Sequence, residues 1–148
     1  MPIKIVLADD HTMFREMVRM ALHYRGEKYV VMGEAADGEE TLNLVSLYRP
    51  DLLLLDYKMP RLGRFTDFCK EVRGRSPATR ILVVSGYSGE EVALEAAVGG
   101  AAGYVVKSSS MPDLLDAIAS VSMGGIWIDP HLPKQVHHTF LQCNTERW

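Results

Sequence analysis

The chain has 148 residues, 47% of them hydrophobic and 24% charged, with a formal net charge of −3; this suits one domain with a modest extension, able to bury a core, and is crowded for two. The mild acidity argues against nucleic-acid binding by this segment, which shows as a basic face. No apolar run approaches the roughly 18 residues of a membrane span, so a cytoplasmic protein without membrane association is expected.

Short apolar runs alternate with segments of helical periodicity, the pattern of a parallel sheet covered by helices on both faces. Five such units follow one another. Ile3-Lys4-Ile5-Val6-Leu7-Ala8 reads as a strand that breaks at Asp9-Asp10, before a helix with Phe14, Met17, Val18, Ala21 and Leu22 on one face and Gly26 as its stop. Tyr29-Val30-Val31-Met32 leads through the capping signal Asp37-Gly38-Glu39-Glu40 to a helix turning Thr41, Leu44, Val45 and Tyr48 inward, closed by Pro50. Leu52-Leu53-Leu54-Leu55 is apolar at every position, which predicts a central strand, and it ends at Asp56; its helix buries Phe65, Phe68, Cys69 and Val72.

Ile81-Leu82-Val83-Val84 runs into Ser85-Gly86, and Ser88 with Glu91 makes a capping box for an alanine-rich helix that stops at Gly99-Gly100. Gly103-Tyr104-Val105-Val106-Lys107 is followed by Ser110 as cap, Pro112 in the first turn and a helix burying Leu114, Ile118 and Val121. The expected fold is α/β, a doubly wound five-stranded parallel sheet. One domain is expected over residues 1–124, with residues 125–148 a linker or C-terminal extension carrying one extra helix over about 130–140. Cys69 and Cys143 have neither metal-site nor disulfide-framework spacing.

In an open parallel sheet, functional groups collect at the carboxyl ends of the strands. Asp9, Asp10, Asp56, Ser85 and Lys107 all fall there, from four different strands. Carboxylates brought that close repel one another and call for raised pKa values or a cation, and a hard divalent ion such as magnesium suits oxygen ligands beside a phosphate. Singly, each residue has a plainer reading: Asp10 as a helix cap, Asp9 as a loop acid, Asp56 as a turn former, Ser85 as a loop hydroxyl, Lys107 as a surface ammonium. The joint pattern outweighs them.

Ala8-Asp9-Asp10-His11, Leu55-Asp56-Tyr57-Lys58-Met59-Pro60, Ser85 and Tyr104-Val105-Val106-Lys107 together resemble the response-regulator receiver domain over about residues 3–122. Asp-Asp-His in the first loop and Gly124-Gly125-Ile126-Trp127-Ile128-Asp129-Pro130 are similar to the NarL/FixJ group. The resemblance implies a flavodoxin-like strand order 2-1-3-4-5 and a two-component switch with Asp56 as phosphoacceptor, its carboxylate attacking the phosphorus of a sensor histidine kinase's phosphohistidine or of a small phosphodonor. It implies Mg2+ held by Asp10, Asp56 and the backbone carbonyl of Lys58, with Asp9 acting through water. Lys107 and the Ser85 hydroxyl would meet the phosphoryl oxygens, as would the backbone at Gly86. Tyr104 would swing inward as Ser85 moves. Also implied are a homodimer, and DNA contact only through a LuxR-type C-terminal domain that this chain lacks. The chain would be no enzyme beyond assisting its own phosphorylation and dephosphorylation.

The sequence departs from that pattern in places. Gly63 stands one place early and Arg64 takes the usual glycine position, which bears on the turn after Asp56; Ser108 replaces the proline that usually follows the lysine. Lys58 and Tyr87 flank the expected entry of hydrolytic water, while His131, His137 and His138 read as linker residues and not as a metal cluster. A phosphorylation-independent docking module is the main alternative. A flavin-binding domain is disfavoured by the acidic first loop, and an aspartate phosphatase by the place of its nucleophile.

Overall fold

The computed structural model describes residues 1–87 and 89–145. The chain forms β1 (Ile3–Ala8), α1 (Thr12–His23), a 3-10 turn Gly26–Lys28, β2 (Tyr29–Ala35), α2 (Gly38–Tyr48), β3 (Leu52–Asp56), α3 (Phe65–Arg75), β4 (Arg80–Ser85), α4 (Glu90–Gly99), β5 (Gly103–Val106), α5 (Met111–Ser122), β6 (Trp127–Ile128) and α6 (Lys134–Thr145). All pairings are parallel and the strand order is β2-β1-β3-β4-β5-β6. The expected order 2-1-3-4-5 is present, with a sixth strand added beyond β5.

The two faces of the sheet carry separate cores. Because side chains alternate along a strand, β3 sends Leu52 and Leu54 into a cluster with Val18 and Leu22 of α1 and Leu114, Ile118 and Val121 of α5. Leu53 and Leu55 enter the opposite cluster with Phe65, Phe68, Cys69 and Val72 of α3 and the alanines of α4. That double covering is why β3 is apolar at every position, and each leucine so buried contributes about 1.5–3 kcal/mol.

Local signals act as read. Asp37 Oδ1 accepts from Glu40 N at 2.8 Å, capping α2, and Glu40 Oε2 reaches back to accept from Ala36 N, one residue before the cap, at 2.9 Å. Ser110 Oγ accepts from Asp113 N at 3.3 Å at the start of α5. The expected Ser88–Glu91 box rests on a residue outside the described ones; Gly89 stands at the N-cap of α4. Asp10 is not a cap either: His11 occupies the N-cap position of α1, without a capping side-chain bond. The Lys107–Ser108 peptide is trans, as are all described peptides.

Residues 125–148, expected as a linker, are instead packed onto the domain as far as they are described. β6 pairs with the outer edge of β5, Gly103 opposite Trp127 and Tyr104 opposite Ile128, so the edge strand gains partners for its exposed backbone groups. The extra helix starts at Lys134, not 130, and lies against α4. Leu132, Val136 and Phe140 recur every four residues and are buried with the α3–α4 core, Val136 and Phe140 at 0% exposure. Asn144 Nδ2 adds hydrogen bonds to Ala101 O at 3.2 Å and Phe140 O at 2.8 Å. Among the described residues, no helix is long and apolar enough to cross a membrane.

Candidate functional site

The parallel register brings Ala8, Leu55, Val83 and Tyr104 into line across neighbouring strands, so the residues that follow them meet at one edge. Asp9 is held there by donating its N–H to Ala35 O at 2.9 Å. Asp56 is the last residue of β3 and Ser85 the last of β4, both buried. Lys107 follows β5 directly, its N–H bonded to Ser85 O at 2.7 Å.

Lys107 Nζ lies 2.8 Å from Asp9 Oδ2, 3.4 Å from Asp56 Oδ2 and 3.0 Å from His11 Nδ1. The His11 ring nitrogen is in turn 2.9 Å from Asp9 Oδ1, 3.3 Å from Asp10 Oδ1 and 4.0 Å from Asp56 Oδ2. Asp9, Asp10, His11 and Asp56 each offer a ligand atom within 4.8 Å of the others, the one such group among the described residues. An open cleft of about 400 Å³, lined by Asp10, His11, Asp56, Lys58, Gly86, Tyr87 and Lys107, leads to them.

The site is short of positive charge. Burial, followed by the repulsion of Asp9, pushes the Asp56 carboxyl up from 3.8 to about 6, against the opposing pull of Lys107 and of the Lys58 N–H. Asp9 Oδ2 is buried and touches Lys107 only as an ion pair, accepting no hydrogen bond. Two buried carboxylates and a more exposed third, sharing one ammonium, suit a hard divalent cation.

The other expected residues fall around this centre. Lys58 N–H approaches Asp56 Oδ1 at 3.4 Å, while its ammonium reaches out to the Tyr87 hydroxyl at 3.3 Å. Ser85 Oγ accepts from Tyr87 N at 2.9 Å. The Tyr104 ring, expected to swing inward, is already inside: it is 0% exposed, belongs to the same core cluster as Leu132, Val136 and Phe140, and donates its hydroxyl to Tyr87 O at 2.6 Å. Burial raises its ionisation above 10, with Ser85 hydrogen bonding acting in the opposite sense.

The loop after Asp56 absorbs the displaced glycine. Gly63 itself takes a left-handed φ of +67°, Arg61 does so at +62°, and Arg64 is an exposed N-cap of α3. Arg61 pairs with Glu39 at 3.0 Å, and Pro60 O accepts from Gly38 N at 2.9 Å. Gly38 is required there, because a Cβ would stand 2.1 Å from Arg61 O.

Three contributors carried no sequence signal of their own. Arg15 donates Nη1 to Asp9 O and pairs through Nε with Glu34 at 3.1 Å, and Arg19 pairs with the same glutamate. The Phe14 ring lies 4.9 Å from Lys107 Nζ, a cation–π contact. His11 was legible only as part of Asp-Asp-His. His131 turns to Asp129, with Nδ1 2.9 Å from Oδ1.

Comparison with known proteins agrees with this geometry. The response regulator receiver domain family matches residues 5–119. The chain is 34% identical over 128 residues to the transcriptional regulatory protein DegU of Brevibacillus brevis, covering 86% of this chain and 53% of that protein. It is 34% identical over 144 residues to the oxygen regulatory protein NreC of Staphylococcus aureus, covering 97% of this chain and 66% of that one. The chain thus spans about half to two thirds of these relatives. A crystal structure of a two-component response regulator of the LuxR family from Aurantimonas sp. SI85-9A1 superposes with a TM-score of 0.80 at 31% identity, over 99% of both chains. The chain belongs to the response regulator receiver family, among the NarL/LuxR-type regulators.

Proposed function

We propose that this chain is a magnesium-dependent phosphoacceptor switch, taking a phosphoryl group onto Asp56 from the phosphohistidine of a sensor histidine kinase or from a small phosphodonor, in the cytoplasm. The observation that carries the reading is Asp56 at the end of a central strand, 4% exposed, with Lys107 Nζ 3.4 Å away and Asp9 and Asp10 beside it.

A carboxyl with a pKa of about 6 is largely ionised at neutral pH yet poorly solvated, which suits a nucleophile. One Asp56 oxygen forms the new bond to phosphorus as the donor's P–N or P–O bond breaks and the donor keeps that electron pair. Asp10, Asp56 and the backbone carbonyl of Lys58 would hold Mg2+, with Asp9 acting through water, and the ion would supply charge neutralisation for the phosphoryl oxygens. Lys107 provides fixed positive charge on the Asp56 Oδ2 side, and the Lys58 N–H on the Oδ1 side. Ser85 lies at the end of the adjacent strand, where its Oγ accepts from Tyr87 N and its O–H would donate to a phosphoryl oxygen. The chain's own part is positioning and electrostatics, so it acts once per phosphoryl group and not as a turnover enzyme. The altered surface would act on an output, which in relatives of this type is transcription, and on pairing with a second copy.

Mass spectrometry after incubation with acetyl phosphate and Mg2+ tests the reading. One added phosphoryl mass is expected in wild type and none in Asp56→Asn or without Mg2+; an unmodified wild type, or a mass that persists in the variant, overturns it.

A further inference from the structure

Asp129 follows β6 and is 1% exposed. Burying a carboxylate is costly unless its lone pairs are used, and here they are. Oδ2 accepts from Val106 N at 3.1 Å and from Ser109 Oγ at 2.8 Å; Oδ1 accepts from His131 N at 3.0 Å and meets the His131 ring Nδ1 at 2.9 Å. Its own N–H donates to Tyr104 O at 3.0 Å. Burial alone would raise its pKa, but these bonds outweigh burial and hold the carboxyl below 3.8. Asp129 is therefore a fixed anion at neutral pH.

What it binds decides its meaning. The ladder between β5 and β6 ends at Tyr104 and Ile128, so the Val106 N–H gets no strand partner on that edge and takes a side-chain oxygen instead. The same oxygen holds Ser109. Val106 and Ser109 bracket Lys107, and the turn is closed further by Ser109 N donating to Val106 O at 2.9 Å. Ser108 in that turn brings no ring that would fix the backbone. The ammonium that stands between Asp9 and Asp56 thus hangs from a turn whose outer side is clamped by one residue, 22 positions further along the chain.

We propose that Asp129 is a positioning residue for the phosphoryl pocket: it fixes the turn 106–109 so that Lys107 Nζ stays within reach of Asp56. The C-terminal segment is in this way part of the site and not an appendage to it. The proposal rests on Asp56 as the phosphoacceptor, with Lys107 its electrostatic partner. Asp129→Asn replaces one accepting oxygen by an NH2 group that cannot serve both Val106 N–H and Ser109 Oγ, and a misplaced charge of about an ångström is worth up to about 100-fold in rate.

The test is a double-mutant cycle on the whole chain with Asp129→Asn, Lys107→Ala and the pair, and with Ser109→Ala as a milder variant that removes one donor only. Phosphorylation by acetyl phosphate is followed over a range of donor and Mg2+ concentrations, Mg2+ affinity is measured separately by calorimetry, and circular dichroism verifies folding at the assay temperature. We expect Asp129→Asn to lower the maximal rate about tenfold or more and Ser109→Ala to lower it less, both with Mg2+ affinity within about twofold of wild type. In the Lys107→Ala background Asp129→Asn should add nothing, because the group it positions is gone. Unchanged rates, or an equal loss on both backgrounds, overturn the positioning role while leaving the phosphoacceptor reading intact. A wild type that takes up no phosphoryl group overturns both.

Discussion

Replacing the Asp56 carboxylate by an amide should make this protein more stable, not less, and the structure gives the size. The Asp56 carboxyl is held at about 6 in the folded chain against an ordinary value of 3.8, chiefly by burial and then by Asp9. A folded-state value above the unfolded one means that folding disfavours the ionised form. That cost is absent below about pH 4, where the group is protonated in both states, grows between pH 4 and 6, and is complete above. The difference corresponds to about 3 kcal/mol, reduced to about 2 because the cleft opens to screening solvent on one side.

Asp56→Asn keeps the shape and removes the charge. Lys107 is not orphaned by it, since Asp9 Oδ2 remains 2.8 Å away. At pH 7.5 without divalent ions the variant should therefore melt about 4–8 °C above wild type, at roughly 2–4 °C per kcal/mol for a chain near this size. The advantage should vanish by pH 4, and Mg2+ should narrow it at pH 7.5 by stabilising wild type more. Thermal unfolding followed by circular dichroism from pH 4 to 8 measures this. Equal midpoints at pH 7.5, or a gap that does not change with pH, would refute the claim that Asp56 is ionised at a cost.

Other substitutions probe what surrounds that carboxylate. Arg15→Ala removes the hold on the Asp9 carbonyl and should weaken Mg2+ binding about tenfold or more in calorimetry, as losing an outer support of a metal ligand generally does. Gly38→Ala drives a methyl group to 2.1 Å from Arg61 O; it should cost about 1–3 kcal/mol in urea unfolding and disturb the loop carrying Lys58. Phe140→Ala empties a fully buried site between α4 and α6 and should cost about 3–5 kcal/mol, a loss no linker residue would show.

Much of this architecture was legible because its signals are local. Four consecutive leucines told of a strand covered on both faces, and Asp37 with Glu40 announced a helix start that the hydrogen bonds reproduce. The strand-end acids were legible for a different reason: parallel strands deliver the residues that follow them to one edge, whatever their separation in sequence. Neither kind of signal exists for Arg15 on α1, whose partner Glu34 lies on β2, or for Asp129, whose work is done at Val106 and Ser109. In the tail the extra helix was legible but the strand before it was not, because a two-residue strand has no period to detect. That Leu132, Val136 and Phe140 pack onto the domain was masked by the histidines, threonine and glutamine between and beside them.

That tail also shares a core with Tyr104. The ring has no exposed surface and stands inward, in the core cluster that also holds Val136 and Phe140 of α6. Its hydroxyl holds the Tyr87 carbonyl at 2.6 Å, while Ser85 Oγ holds the Tyr87 N–H at 2.9 Å, so one backbone unit is gripped by two hydroxyls from neighbouring strands. Tyr87, whose side chain borders the cleft with Lys58, thus ties the ends of β4 and β5 to the mouth of the site through its backbone.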